Sequence, residues 1–375
     1  MNKNIKIGFI HPALMDYRIE LFEMLNSEYD ITFIFTKQGR GQANVKEKHL
    51  NPPGWKHKIL RTKYLIRNRD IGMYPKLIKE LLFGKYDVFL VSNSWYICWP
   101  IAKLTRKKFI YWTEFWHWEN TSTTRKILNS ITFFISRHSD AVIATGTKAA
   151  QAQAGIGVDK DKVFTHPQCS VDYSQIYSGD FREKLNLQNK KIILYVGRLV
   201  EEKGLTFLIE AISLVNQQID NAFLIIVGTG PLENHCKELS KEMGVTNILF
   251  QGFVGNESEK GSYYKACNLF ILPSIFINNI YDPWGLVVNE AMAFGKPVIT
   301  TDAVGAGYDM VKEGINGYMV SNGNSLELSK AILKIISDDT LENEMGINSR
   351  KIFEEKNNNK KLFLKFKQCI DSLCG

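Results

Sequence analysis

The strongest constraint on the fold is a regular alternation of short apolar runs with helix-patterned stretches along the chain. Runs at Ile5–Ile10, Ile31–Phe35, Val88–Val91, Phe109–Trp112 and Ala141–Ala144 have strand length, with helical patterns such as Tyr17–Leu25 and Tyr74–Phe83 between them. The alternation resumes at Ile192–Val196, Phe223–Val227, Ile248–Gln251, Leu269–Leu272 and Val298–Thr300. Parallel strands need a crossover, usually a helix, and strands covered on both faces read as continuous apolar runs. The chain is therefore expected to be α/β, built on doubly wound parallel sheets. A length of 375 residues predicts two or three domains. The boundary is expected near Pro167–Tyr173, after a polar stretch at Val158–Lys162, giving domains 1–170 and 171–350 and a helical tail 351–375.

Two segments carry the chemistry. In YDPWGLVVNEAMAFGKPVIT, Tyr281–Thr300, Asp282 reads as a helix N-cap, Pro283 as the first helical residue and Gly285–Ala293 as the body. Asp282 and Glu290 stand eight positions apart, which on a helix is a rise of ~12 Å. That span suits a ligand with a sugar at one end, a ribose at the other and a pyrophosphate over the helix N-terminus. The alternative is an ordinary capped helix with one buried, paired Glu. In KKIILYVGRLVEEKGLTFLIEAI, Lys190–Ile212, a buried strand turns at Gly197 into a helix opening near Gly204, with Arg198 and Lys203 beside the turn. Ligands of open α/β sheets lie at the carboxyl ends of the strands, and two cations there suit a pyrophosphate. Solvated surface cations are the bland reading.

Together these segments resemble the C-terminal domain of retaining glycosyltransferase family 4, whose pattern is G-R-x(4)-K-G followed by E-x(7)-E. This chain reads GRLVEEKG and DPWGLVVNEAMAFGKPVI, with FLIIVGTGPLE, ILFQGFV and ACNLFILPS between them and TTDAVGAGYDMVKEGINGYMV after them. The resemblance implies the GT-B fold, two Rossmann-like domains facing each other across a cleft. It also implies a nucleotide-diphosphate-sugar donor, retention of anomeric configuration, and neither metal nor cofactor. Arg198 and Lys203 would hold the departing diphosphate, Asp282 the donor sugar and Glu290 the ribose. Gly228, Phe253, Val254, Trp284, Gly285, Leu286 and Val287 would line the donor. The family usually has Glu where this chain has Asp282, so the reach into the sugar pocket is shorter by one methylene. Gln168, Cys169 and Ser170 also replace an Asn-Gly turn at the domain hinge. The Lys-rich tail from Lys351 to Lys367 is helix-forming. The resemblance has it cross back to the first domain, and a solvated helix is the alternative.

In the first half only the pattern matches. Where relatives place a histidine opposite the donor sugar, FIYWTEFWHWEN puts Glu114, with His117 following. Glu114 is read as a catalytic candidate, able to hold a sugar hydroxyl or balance oxocarbenium charge, or else as a loop Glu paired with an Arg. The loop after the first strand, HPALMDYR, lacks the family's glycines and offers Tyr17 and Arg18, with His117, as acceptor contacts. Tyr17 and Arg18 equally well begin the first helix, and His117 between two tryptophans suits packing.

Charge divides unevenly, with a net +12 in residues 1–170 and −4 in residues 171–375. A basic first half suits an anionic partner. The expected acceptor is a glycan or a polyprenyl-phosphate-linked glycan at an anionic membrane surface. The cationic candidates are Lys56, Lys58, Arg61, Lys63, Arg67 and Arg69, with Arg125, Lys126 and Arg137 around the apolar stretch of RKILNSITFFISRH. For that second segment a core helix is the alternative. Six scattered cysteines without a C-x-x-C pair read as reduced thiols of a cytoplasmic protein, peripheral on the membrane's inner face at most. No histidine or cysteine has zinc spacing. Gly228–Gly230 is followed by Glu233 where a dinucleotide fingerprint needs its third glycine. No nucleic-acid-binding signature is present. The rival readings are a nucleotide-sugar epimerase of the same fold and a non-catalytic basic protein binding glycan or RNA. The second leaves Asp282, Glu290, Arg198 and Lys203 without a purpose.

Overall fold

The apolar runs form two parallel sheets in the computed structural model, which describes residues 5–36, 54–60, 63–66, 71–73, 75–92, 96–118, 122–177, 179, 181–277 and 280–374. The chain divides into two units, Met1–His166 with Asn359–Gly375, and Pro167–Asn358. The first unit contains β1 (Lys6–His11), α1 (Ile19–Glu28), β2 (Asp30–Phe35), β3 (His57–Ile59), β4 (Lys63–Ile66), β5 (Ile71–Met73) and α2 (Pro75–Phe83). It continues through β6 (Val88–Ser92), α3 (Cys98–Leu104), β7 (Lys108–Thr113), α4 (Thr123–His138), β8 (Ala141–Thr145), α5 (Gly146–Gly155) and β9 (Val163–His166). The main sheet runs β3-β2-β1-β6-β7-β8-β9, every pair parallel, while β4 and β5 form a separate antiparallel pair. Strand β1 lies between β2 (Ile7↔Ile31) and β6 (Ile7↔Val88). The winding reverses between β1 and β6, so a switch-point crevice opens at their carboxyl ends.

The second unit repeats the plan. Its elements are α6 (Phe181–Lys184), β10 (Lys191–Val196), α7 (Leu205–Asn216), β11 (Ala222–Val227), α8 (Glu233–Glu242), β12 (Ile248–Gly252) and α9 (Glu257–Ala266). They continue with β13 (Leu269–Leu272), α10 (Leu286–Ala293), β14 (Val298–Thr301), α11 (Gly305–Met310), β15 (Gly317–Val320), α12 (Ser325–Ile336) and α13 (Asp339–Lys356). The sheet order β12-β11-β10-β13-β14-β15 places the switch point between β10 and β13. Strands β10 and β13 are buried on both faces, which is why Ile192–Val196 and Leu269–Leu272 are apolar without alternation. Burial of these strands and of the inner faces of α7, α10 and α12 in one continuous core holds the unit together.

The last helix, α14 (Asn359–Cys374), belongs to the first unit. Phe366 lies edge-on to Trp112 at 5.0 Å, Lys367 Nζ donates to Glu28 Oε1 at 2.6 Å, and the Tyr29 hydroxyl donates to Asp371 at 2.8 Å. The stretch Lys351–Lys367 is not one helix, because α13 ends at Lys356. Asn357 is held at φ −81°, ψ 63°. Its side chain accepts from the Ser170 N–H at 2.6 Å and donates to the Ser170 carbonyl at 2.9 Å. Two bonds to another segment outcompete continuation of the helix.

Three further expectations change. Tyr17 and Arg18 lie in a 3-10 turn, Asp16–Arg18, and α1 begins after it. Lys56–Arg69 is strand and loop where described. Lys56 pairs with Asp30 at 2.5 Å and Lys58 with Glu80 at 2.7 Å, so part of its charge is already neutralised. Arg61, Arg67 and Arg69 lie outside the described residues, as does the side chain of Lys63. Helix α4, weighed as a core helix, buries Asn129, Thr132, Ile135 and Ser136 and turns Ile127, Ile131 and Phe134 to solvent. Its amphipathicity is largely inverted relative to a core-facing helix.

Candidate functional site

The loops leaving β10 and β13 bring the two sequence segments together at the switch point of the second sheet. The β10 loop turns back through Gly204, φ +66°, where a Cβ would lie 2.0 Å from the Pro273 carbonyl oxygen at the end of β13. Only glycine allows both that backbone and that approach. The Ile275 N–H then donates to the Glu202 carbonyl at 2.9 Å, fastening one loop to the other. Lys203 is thereby carried onto Asp282, and the two form a largely buried ion pair. Ser274 Oγ donates to the same carboxylate oxygen, Oδ2, at 3.4 Å. Both bonds fall on Oδ2, which leaves Oδ1 as acceptor capacity for a ligand hydroxyl. Arg198 lies further out, its side chain 64% exposed and bonded to Glu202 Oε1 at 3.1 Å. Its carbonyl accepts from the Tyr195 hydroxyl at 2.8 Å. That hydroxyl is held far above the ordinary tyrosine range by burial and then by the Asp282 charge, so it stays a donor.

Asp282 is not an N-cap. Its N–H donates to the Ala303 carbonyl at 3.1 Å and its carbonyl accepts from the Gly305 N–H at 3.0 Å, a bridge to the segment after β14. These bonds keep the chain extended to Asp282. Gly285 then turns it at φ +91° and itself occupies the cap, so α10 begins at Leu286. The interval from Asp282 to Glu290 is therefore helical only in its second half, and the ~12 Å helical rise does not apply. The Leu286 and Val287 N–H groups of the first turn have no intrahelical acceptor by geometry. Both residues are half-buried.

Glu290, one helical turn later, is positioned by residues the sequence reading did not single out. Its Oε1 accepts from Lys260 Nζ at 3.2 Å and its Oε2 from the Tyr264 hydroxyl at 2.8 Å. Lys260 and Tyr264 are four apart on α9 and so share a face, a spacing legible in KGSYYK but without a visible target. Burial lowers the Lys260 pKa, but the Glu290 and Glu257 carboxylates outweigh it and the net shift is upward. A carboxylate has about four acceptor positions, so Glu290 keeps capacity for two more donors. Asn289 is fully buried. It takes the Trp284 indole N–H at 2.9 Å and donates to the Gln168 carbonyl and to Asn357 Oδ1, each at 3.0 Å. The Trp284 ring is thus a core group, 3% exposed. Around the rim, the Gly228 N–H donates to the Gly252 carbonyl at 2.8 Å, Phe253 is 66% exposed and Val254 packs on the core.

In the first unit, Arg18 is buried with its guanidinium 3.9 Å from the centre of the Trp112 ring and 5.1 Å from that of Tyr17. Tyr17 and Glu114 are half-buried. Burial raises the Tyr17 pKa; Arg18 opposes that shift and Glu114 adds to it, so these three groups lie within electrostatic reach of one another. His117 is half-buried, its ring 6.3 Å from that of Trp116. Among the described residues, no three His, Cys, Asp or Glu side chains gather as metal ligands.

Two Rossmann-like α/β units with loops converging at a switch point define the GT-B class of fold. The whole chain superposes on Anabaena Alr3699/HepE in complex with UDP, with a TM-score of 0.77 at 18% identity over 98% of this chain and 100% of that one. Residues 178–352 match the family model of glycosyl transferases group 1. The chain is 32% identical over 179 residues to the uncharacterized glycosyltransferase MJ1607 of Methanocaldococcus jannaschii, covering 47% of this chain and 44% of that protein. It is 31% identical over 184 residues to the capsular polysaccharide biosynthesis glycosyltransferase CapM of Staphylococcus aureus, covering 48% and 47%. The match spans about half the length of these curated relatives.

Proposed function

We propose that this protein is a retaining, metal-independent glycosyltransferase of family 4 type. It would move a sugar from a nucleotide-diphosphate-sugar to a hydroxyl of a glycan or lipid-linked acceptor in surface polysaccharide or glycolipid assembly. The observation that carries this reading is the Lys203–Asp282 pair at the switch point of the group 1 unit. In this mechanism Lys203 and Arg198, with the Leu286 and Val287 N–H groups, neutralise the diphosphate as it departs, stabilising charge that develops in the transition state. Asp282 Oδ1 accepts from a donor-sugar hydroxyl. Glu290, oriented by Lys260 and Tyr264, accepts from both ribose hydroxyls. The C1–O bond to the diphosphate breaks as the acceptor oxygen bonds C1 on the same face, and the acceptor proton passes to the leaving phosphate oxygen. The CapM relationship supports a surface polysaccharide as acceptor. Thermal shift against UDP-, GDP- and ADP-sugars, followed by transfer assays with the donor that stabilises, tests the proposal. No stabilisation by any of them would overturn it.

A peripheral membrane position on the cytoplasmic face is part of the proposal. It is supported by the exposed Ile127, Ile131 and Phe134 on α4, with Lys126 on the same groove. Such a stripe beside cations suits an anionic bilayer surface. Among the described residues no helix is long and apolar enough to cross a membrane.

A further inference from the structure

Arg18 sits in the first unit under conditions that a structural arginine avoids. It caps the N-terminus of α1, the positive end of the helix dipole, where a cation is disfavoured. It is 6% exposed, and its Nε and Nη1 are buried without a hydrogen-bond partner. Buried guanidinium donors are normally paired, and an unpaired one calls for an explanation such as an absent ion. The stacking on Trp112 offsets only part of that cost. His11, 5.7 Å from Trp112, supplies no counter-charge. Burial, then Arg18, push its pKa down to about 3 against the Ala13 carbonyl, so its ring is neutral. His11 ends β1, and β1 borders the switch point of the first sheet, where open α/β folds take ligands.

We propose that Arg18 is the docking group for an oxyanion, a phosphate or carboxylate carried by the molecule that the first unit receives. Calling that molecule the acceptor rests on the glycosyltransferase reading; the anion site does not. The guanidinium contributes two unpaired donor nitrogens, Trp112 keeps its plane fixed, and Tyr17 flanks it. Glu114 lies within electrostatic reach of Tyr17, and its charge opposes an anion bound there.

The test is isothermal titration of the full chain with farnesyl phosphate and with glucuronate, each against its uncharged counterpart, farnesol or glucose, and separately with UDP. The expected result is that one anion binds at least tenfold more tightly than its uncharged counterpart. The preferred anion identifies phosphate or carboxylate. Arg18→Gln should remove that preference and Arg18→Lys should restore part of it. Equal affinity for charged and uncharged probes in the wild type would overturn the proposal, as would a folded Arg18 variant that keeps the preference. A purely structural Arg18 would lower the melting temperature and leave the charged-to-uncharged ratio unmoved. Should Arg18→Gln not fold, the wild-type ratio and Arg18→Lys decide. UDP binding without anion preference overturns this proposal alone, and anion preference with no stabilisation by UDP-, GDP- or ADP-sugars overturns the glycosyltransferase reading alone.

Discussion

Lys203 and Asp282, 79 positions apart, close a largely buried ion pair between the loop after β10 and the segment before α10. Each would be costly alone, since removing one member of a buried pair strands the other charge. Lys203→Ala is expected to lower stability by about 3 kcal/mol, the lower end of that class of effect. Lys203→Met combined with Asp282→Leu should lose less than the two single variants summed. Chemical denaturation of wild type, Lys203→Ala, Lys203→Met, Asp282→Leu and the double variant checks this, and full additivity would mean that the pair is not energetically coupled. In the catalytic reading, Lys203→Ala also loses hydrogen bonds to a charged group worth ~1.5–3 kcal/mol, so kcat/KM should fall at least tenfold. Activity should survive chelation with EDTA.

Glu290 should affect donor binding, with Tyr264 as a positioning residue. Glu290→Gln is expected to weaken nucleotide affinity at least tenfold. Tyr264→Phe, which removes one orienting bond, should weaken it by roughly threefold, in line with ~0.5–1.5 kcal/mol for a typical hydrogen bond. Titration of UDP into each variant measures both, and unchanged affinity in Glu290→Gln would remove it from the ribose role.

Asn357 joins the two segments that connect the units, through Ser170, and reaches α10 through Asn289. Replacing it with Ala leaves the Ser170 backbone groups and the Asn289 amide short of partners. A loss of about 2–4 kcal/mol is expected, given ~1–3 kcal/mol for each buried group left unsatisfied. A melting temperature equal to wild type would show that water takes over those bonds.

His11 predicts acid sensitivity. Its folded pKa, about 3, lies below the ordinary 6.5, so the unfolded chain takes up the proton more readily. The contribution of this residue is complete above pH 6.5 and is lost as pH falls from there toward 3. The groups acting on it are the Arg18 cation and the Ala13 carbonyl. His11→Asn, which keeps a donor toward Ala13, should flatten the decline of unfolding free energy between pH 6.5 and 4. An identical slope in both proteins would contradict the assignment.

The exposed apolar side chains of α4, in the proposed peripheral position, make the last prediction. Ile127→Glu with Phe134→Glu should abolish co-sedimentation with anionic liposomes, and salt should weaken wild-type binding because charge attraction is screened over ~8 Å at physiological ionic strength. Equal sedimentation with neutral and anionic vesicles would remove the membrane from this account.

The α/β alternation, both parallel sheets and the two segments that meet at the switch point of the second sheet were legible in the sequence, because strand burial and turn chemistry are local properties. Ile192–Val196 is apolar wherever it is read, and GRLVEEKG turns at its glycines for steric reasons. Tertiary structure decided what those segments meet. Asp282 looked like a cap because Asp-Pro favours one locally, yet the bridge to Ala303 and Gly305 held it extended and delivered its carboxylate to Lys203. Lys260 and Tyr264 gave no sign of a target until α9 lay against Glu290. The Lys-rich tail looked continuous, and only the bonds of Asn357 to Ser170 broke it. In α4 the apolar and polar faces were visible as a pattern, but which one faced solvent depended on the packing of the rest of the unit. Propensity and periodicity act over a few residues, whereas a hydrogen bond between residues 187 positions apart exists only once the chain between them has folded.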